Sequence, residues 1–322
     1  MLGRWMLKPR GSFKTALFLA ATTTFSSPSV LVACSAFSTS KMTSRPNIER
    51  NDGTITVSPA NEGDQSALIV ISHGLGDSSE GFADVAQMLH TKMPYAKFIL
   101  PTAPTQPVTM NMGMSMPSWY DIVGLDERSN ENCKGIEESQ QRIAGILEQE
   151  HADTGLPYSR MVLAGFSQGG ALSLFTGLQL KQKLAGIVVM SGYLPAASKF
   201  KLSPGLESTP ILHCHGSQDP IVRFEMATKT HEKLKEAGVT NCELKTYPIP
   251  HTVSPDELQA VGDFLSKVLP ASDEHKITLK DPATMSVKEL KAAIRKSGLS
   301  QKAVGFTEKS EFVKLLQDHR SK

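Results

Sequence analysis

The chain predicts an α/β fold on a mostly parallel sheet. From residue 54 onward, short apolar runs alternate with amphipathic stretches, which is the pattern of βαβ units. One of those runs ends in a glycine-flanked serine and passes straight into a helix start. A Lys-rich tail with helix signals of its own follows the last unit.

The first strand is Ala67-Leu68-Ile69-Val70-Ile71, an apolar, largely β-branched run followed by a polar loop. Lys97–Leu100, Met161–Ala164, Gly186–Met190, Ile211–His215 and Cys242–Tyr247 are the further strands. Helical spacing marks Asp84–Met93, through Val85, Met88, Leu89 and Met93, and Gly135–Glu150, through Ile136, Ile143, Ile146 and Leu147. The other helices are Gly169–Leu180, Arg223–Ala237 and Ser254–Val268, the last with Leu258, Val261, Phe264, Leu265 and Val268 on one face.

Composition removes several classes. The 322 residues are 40% hydrophobic and 20% charged, enough for a sizeable core and unlike a disordered chain. The body holds no long uncharged apolar run of membrane-span length. Its 4 cysteines, Cys34, Cys133, Cys214 and Cys242, form neither a C-x-x-C pair nor a compact zinc spacing, so no disulfide framework or metal site is expected. The net charge of +2 is the sum of unlike parts. Residues 1–48 carry +6, residues 49–270 carry −8 and residues 271–322 carry +4. An acidic body argues against nucleic-acid binding by that body.

Residues 1–48 are rich in Ser, Thr, Ala, Lys and Arg and hold no acid. That composition suits an organellar presequence, plastid or mitochondrial, or a disordered leader without an address. Cys34-Ser35-Ala36-Phe37 resembles the junction of algal plastid presequences, and the basic stretch before Ala16–Ala21 fits a secretory signal in part. Met42 offers a third reading, an internal start that gives a cytoplasmic product.

The strongest chemical signal is Gly165-Phe166-Ser167-Gln168-Gly169. A G-x-S-x-G between strand and helix is a nucleophile elbow: the sharp turn lifts the serine to the helix N-terminus, and the glycines let strand and helix approach. A serine nucleophile needs a base and an acid to orient it, in the order Ser, Asp/Glu, His for an α/β-hydrolase. Asp219 follows the strand at Ile211, and His251 follows the strand at Cys242. Both therefore fall at the carboxyl edge of a parallel sheet. His213 and His215 alternate within a strand and read as embedded in the sheet, while His231 lies on an amphipathic helix as a solvated residue. The expected oxyanion donors are the backbone N–H of Gln168 and that of Leu75, in the loop Ser72-His73-Gly74-Leu75-Gly76-Asp77. His73 is expected to hydrogen-bond this loop into shape.

Five blocks resemble the acyl-protein thioesterase / lysophospholipase / carboxylesterase family of small α/β-hydrolases. They are Ile71–Asp77, Pro101–Asp121 with Met116-Pro117-Ser118-Trp119-Tyr120-Asp121, the elbow, Val189–Tyr193, and His215–Pro220. The resemblance covers roughly residues 55–270 and implies no cap domain, no metal and no cofactor. The substrates it implies are S-acylated proteins, lysophospholipids and small esters, for which peripheral membrane contact is compatible. Two departures stand out: Thr102 replaces the usual histidine before Ala-Pro, and Ile249-Pro250-His251-Thr252 replaces the usual approach to the histidine. The competing class is a non-catalytic platform that uses the fold to present the tail. The full Ser, Asp, His set argues for the enzyme.

Met110–Met116 holds four methionines, whose flexible thioethers suit an acyl-chain groove. Met112, Met114 and Trp119 are the expected substrate contacts, with a core aromatic the equal alternative for Trp119. Beyond a linker over 271–285, Ser286-Val287-Lys288-Glu289 is a capping box that opens a helix with Leu290 and Ile294 inward and Gly298 as its stop. A second helix carries Phe312, Leu315 and Leu316. Residues 286–320 resemble a SAP-like helix–loop–helix module. Its +4 charge favours a protein partner over nucleic acid.

Overall fold

A computed structural model describes residues 45–124 and 132–320 of the chain. The proposed leader lies outside the described residues up to position 44, and Met42 with it.

Eight strands form one sheet, in the order β1-β2-β4-β3-β7-β8-β9-β10. They are β1 (Asn47–Asn51), β2 (Thr54–Ser58), β3 (Ala67–Ser72), β4 (Ala96–Pro101), β7 (Met161–Phe166), β8 (Gly186–Met190), β9 (Ile211–Gly216) and β10 (Cys242–Tyr247). β1 and β2 run antiparallel at one edge, and every pairing from β4 to β10 is parallel. A separate hairpin pairs β5 (Thr105–Val108) with β6 (Met114–Pro117).

The period of two along β3 divides the core. Leu68 and Val70 face one layer, with the helices α2 (Ile136–Thr154), α3 (Gln168–Gly177) and α4 (Phe224–Glu236). Ile69 and Ile71 face the other, with α1 (Ala83–Lys92) and α5 (Pro255–Val268). β3 is buried along its whole length, because helices cover both faces and β4 and β7 flank its edges. Each large aliphatic side chain so buried contributes about 1.5–3 kcal/mol. Among the described residues, no helix is long and apolar enough to cross a membrane.

Every expected strand and helix of the body is present, with ends shifted by a few residues. The two hairpins were not expected. β1–β2 turns at Asp52-Gly53, both at positive φ (46° and 73°), the conformation favoured in two-residue hairpin loops. The first strand among the described residues starts at Asn47, inside the segment expected to be leader.

The tail forms α6 (Val287–Lys296) and α7 (Lys309–Arg320) around Leu290, Ile294, Phe312 and Leu316. The capping box is present: Ser286 Oγ accepts from Glu289 N–H, and Glu289 accepts from Ser286 N–H. The expected linker departs from a free tether. Ile277 is buried, and its N–H donates to Gln65 O at 2.9 Å. Lys276 pairs with Asp64 at 3.3 Å, and Arg320 reaches Glu62 at 3.4 Å. The alternation Ile277-Thr278-Leu279 supplies the apolar side of this short docked stretch.

Because these contacts surround the start of β3, while its far end leads into the Ser72–Asp77 loop, tail and loop sit at opposite ends of the strand. Truncation after Ala271 should lower the melting temperature by a few degrees, since it removes Ile277, whose burial against the body contributes about 1.5–3 kcal/mol. It should leave kcat/KM on a small soluble ester within about twofold. A tenfold kinetic loss would place the tail at the reaction centre.

Glu257 on α5 is fully buried, and the Ser254 backbone N–H offsets only part of the effect of that burial on its carboxyl. Burial raises its pKa from 4.5 to about 7. The folded protein thus keeps a proton that the unfolded chain has lost, so this group's contribution falls as pH rises from about 4.5 to 7 and is level above that. The span is roughly 3 kcal/mol. In Glu257→Gln, the difference in melting temperature between pH 5 and pH 8 should shrink.

Candidate active site

The site is assembled at the carboxyl ends of β3, β7, β9 and β10. Ser167 occupies the turn between β7 and α3 with φ 52° and ψ −118°. A non-glycine residue at such a φ stores about 1–3 kcal/mol of strain, which the surrounding structure must hold. Ser167 N–H donates to Met190 O at 2.8 Å, and Ser167 O accepts from Ala171 N–H at 3.0 Å. A Cβ on Gly169 would overlap the Ser72 carbonyl, and one on Gly165 would overlap the Gly169 backbone. The two glycines are what allow β3, β7 and α3 to meet at the serine.

Ser167 Oγ lies 3.0 Å from His251 Nε2. His251 Nδ1 donates to Asp219 Oδ2 at 2.6 Å. The other oxygen, Oδ1, accepts from the Ile221 and Val222 N–H groups at 2.8 and 2.9 Å. Asp219 is buried, and the His251 ring leans on Phe166 with centroids 4.8 Å apart. Since Asp219 takes Nδ1–H, His251 presents Nε2 as an acceptor toward the serine hydroxyl.

A cavity of about 240 Å³ opens beside Ser167, lined on its apolar side by Leu75, Met110, Ile122, Phe166, Tyr193 and Ile221. Gln168 also lines it. The remaining expected contacts are placed elsewhere. Met112 is 91% exposed at the hairpin tip and Met114 is 52% exposed, and neither lines the cavity. Met112 sits in a left-handed turn (φ 56°) at the tip, and β6 begins exposed at both Met114 and Ser115. Trp119 is fully buried behind the Ser72–Asp77 loop, and its indole N–H donates to His73 O at 2.9 Å. Met110 is a methionine that does face the cavity, and Tyr193 and Ile221 line it without having been singled out by any sequence motif of a groove.

His73 ties the loop down. Its Nε2 accepts from Ala103 N–H at 2.9 Å, and its Nδ1 donates to Gly74 O at 2.7 Å. Burial lowers its pKa, consistent with a neutral ring. His213 and His215 are buried in β9, with burial pushing His213 down to about 3. His215 donates to Val222 O at 2.8 Å and so also braces the Asp219 loop, a reach that its strand position did not suggest. His231, expected to be solvated, is half-buried, with Nδ1 enclosed. Thr102 Oγ1 accepts from Ser79 N–H at 3.0 Å.

The family model described as Phospholipase/Carboxylesterase matches residues 53–269. The chain belongs to that family. It is similar to the acyl-protein thioesterase 1 of Mycosarcoma maydis, 39% identical over 234 residues, 68% of this chain and 98% of that protein. It is similar also to acyl-protein thioesterase 1 of Neurospora crassa, 42% identical over 217 residues, 64% of this chain and 88% of that protein. Among solved structures, Zea mays acyl-protein thioesterase 2 superposes with a TM-score of 0.60 at 29% identity, covering 67% of this chain and 98% of that one. Arabidopsis thaliana SOBER1 gives a TM-score of 0.56 at 33% identity, over 63% of this chain and 99% of that one. As a member of the Phospholipase/Carboxylesterase family, the chain is a serine esterase or thioesterase with an α/β-hydrolase fold.

Gly169→Ala should force β3 and α3 apart and displace Ser167. A shift of about 1 Å costs on the order of 10²-fold in rate. Turnover per folded molecule should fall at least that far, and near-normal turnover would mean that the elbow relaxes around a methyl group.

Proposed function

We propose that Ser167 is the nucleophile, His251 the general base and Asp219 the residue that orients it, in the hydrolysis of acyl thioesters and carboxylic esters. The observation that carries this reading is the His251 imidazole, hydrogen-bonded at once to Ser167 Oγ (3.0 Å) and Asp219 Oδ2 (2.6 Å). His251 takes the hydroxyl proton as Ser167 Oγ attacks the acyl carbonyl, and Asp219 stabilises the imidazolium that forms. The N–H groups of Leu75 and Gln168 receive the tetrahedral oxyanion. Collapse expels a thiol or alcohol, protonated by His251, and leaves an acyl-Ser167 ester. Water, deprotonated by His251, then frees the acid.

The apolar cavity beside Ser167 fits an acyl chain, and the acyl-protein thioesterases it resembles give S-acylated proteins as the leading substrate class. Lysophospholipids and small esters need the same machinery. The tail over 286–320 is proposed to act on partner choice or location, through protein contacts.

Ser167→Ala, His251→Ala and Asp219→Asn should each lower kcat by about 10⁴-fold or more while the protein remains folded. A fluorophosphonate should label the wild type and not Ser167→Ala. Parallel rates on a palmitoylated peptide and a lysophospholipid then rank the two substrate classes. Near-wild-type turnover in Asp219→Asn would assign the orienting role to another carboxylate.

A further inference from the structure

Gln168 contributes more than a backbone N–H beside the serine. Its side chain is buried, and its whole amide is engaged by one short segment. Oε1 accepts from Trp119 N–H at 2.9 Å. Nε2 donates to Tyr120 O at 2.7 Å and to Ser118 Oγ at 3.0 Å. The segment it grips carries the Trp119 indole, whose N–H donates to His73 O at 2.9 Å. His73 is two residues from Leu75, the other proposed oxyanion donor. Gly76 N–H on the far side of Leu75 donates to Pro117 O at 2.8 Å, again in the same segment. The Trp119 carbonyl in turn accepts from Ser139 Oγ on α2, and the Trp119 ring packs on His73 with centroids 5.2 Å apart.

The two donors come from different elements, the start of α3 and the loop after β3. Sheet pairing sets the strands, not the loop beyond them. Oxyanion stabilisation requires both N–H groups to point at one spot within a few tenths of an ångström. The route Gln168 amide, Trp119 backbone, Trp119 indole, His73 carbonyl joins the elements, and each link is a buried hydrogen bond with an ordinary distance.

We propose that the side chains of Gln168 and Trp119 act as one strut that sets the spacing between the Gln168 and Leu75 N–H groups, which makes both of them positioning residues for transition-state stabilisation. The proposal rests on the reading of those N–H groups as the oxyanion hole.

The test uses the full chain carrying Gln168→Met, which keeps the backbone N–H and the side-chain length, Trp119→Phe, which keeps a core ring and removes only the indole and its N–H, and the double variant. Ser167→Ala is the control. Two readouts are taken on folded protein: kcat and KM on a small ester, and affinity for an alkyl trifluoromethyl ketone. On that ketone the Ser167 Oγ–C bond forms, the carbonyl π pair becomes an oxyanion and the hydroxyl proton passes to His251, so its affinity reports the oxyanion hole without turnover.

Each single variant should lower kcat by about 10–100-fold and the ketone affinity by a similar factor, with KM within about twofold. The double variant should be no slower than the slower single within about threefold, since one strut breaks only once. Wild-type kcat and ketone affinity in folded Trp119→Phe would overturn the proposal even if Gln168→Met failed to fold. So would losses that multiply in the double variant, or a rise in KM at constant kcat. A merely structural role would lower the melting temperature while leaving kcat and ketone affinity of the folded protein alone. Turnover retained in Ser167→Ala would instead overturn the underlying assignment of the nucleophile.

Discussion

The contact on which the site depends is the close approach of β3, β7 and the start of α3 around Ser167. Gly169 lies against the carbonyl of Ser72, and Gly165 against the backbone of Gly169, at separations that no side chain tolerates. That proximity forces Ser167 into its positive φ and lifts its hydroxyl above the carboxyl edge of the sheet. The strain is held because Ser167 N–H and C=O are both bonded, to Met190 and Ala171, and because β7 is hydrogen-bonded on both sides, to β3 and β8. A looser elbow would relieve the serine and lose its alignment with His251.

The charges around the serine are arranged by the same economy. Asp219 is buried, where an unpaired carboxylate would be costly, and three donors meet it: two backbone N–H groups on Oδ1 and His251 on Oδ2. The backbone pair fixes the carboxylate plane independently of His251, so the imidazole is aimed by a group that is already aimed. His215 holds the Val222 carbonyl, and Val222 supplies one of those N–H groups, so the loop is braced on both of that residue's polar atoms. Burial pushes the pKa values of His213 and His73 down, and His73 Nε2, which accepts from Ala103 N–H, is unprotonated.

Features that one local rule determines were readable in the sequence. The six parallel strands and five helices of the body follow from apolar periodicity, and the elbow from two glycines and a serine between strand and helix. Chain order and strand ends bring Asp219 and His251 to one edge. The β1–β2 hairpin carried a signal that went unused: Asp52-Gly53 between alternating residues, with Ile55 and Val57 turned inward. The hairpin β5–β6 carried less, because Pro107 and the methionines resemble a loop and only pairing between the two segments makes them strands. Side-chain direction was the real gap. Composition suggested that Met112 and Met114 formed a groove, but Met112 sits in a left-handed turn at the hairpin tip and both are exposed. For Trp119 the sequence leaves substrate contact and core aromatic equally open; its indole N–H needs a buried acceptor, and His73 O provides it from behind the loop.

The position of the tail follows from the direction of the sheet. In a parallel sheet every strand delivers its next loop to the same edge, so reactive loops gather at the carboxyl ends and the opposite edge is left for other uses. The tail takes that opposite edge: Ile277 pairs with Gln65, immediately before β3, and Arg320 reaches Glu62 in the turn that precedes it. Strands of six residues at about 3.3 Å each hold the two edges roughly 20 Å apart. α6 and α7 have their own small core, so the module brings its own packing and uses the body mainly as an anchor. Such a module cannot act as a lid on Ser167 without first breaking the Ile277 and Arg320 contacts. On the proposed reading of Ser167 as nucleophile, the tail would act on hydrolysis through what it binds or where it holds the enzyme, and the loops at the other edge would set the rate.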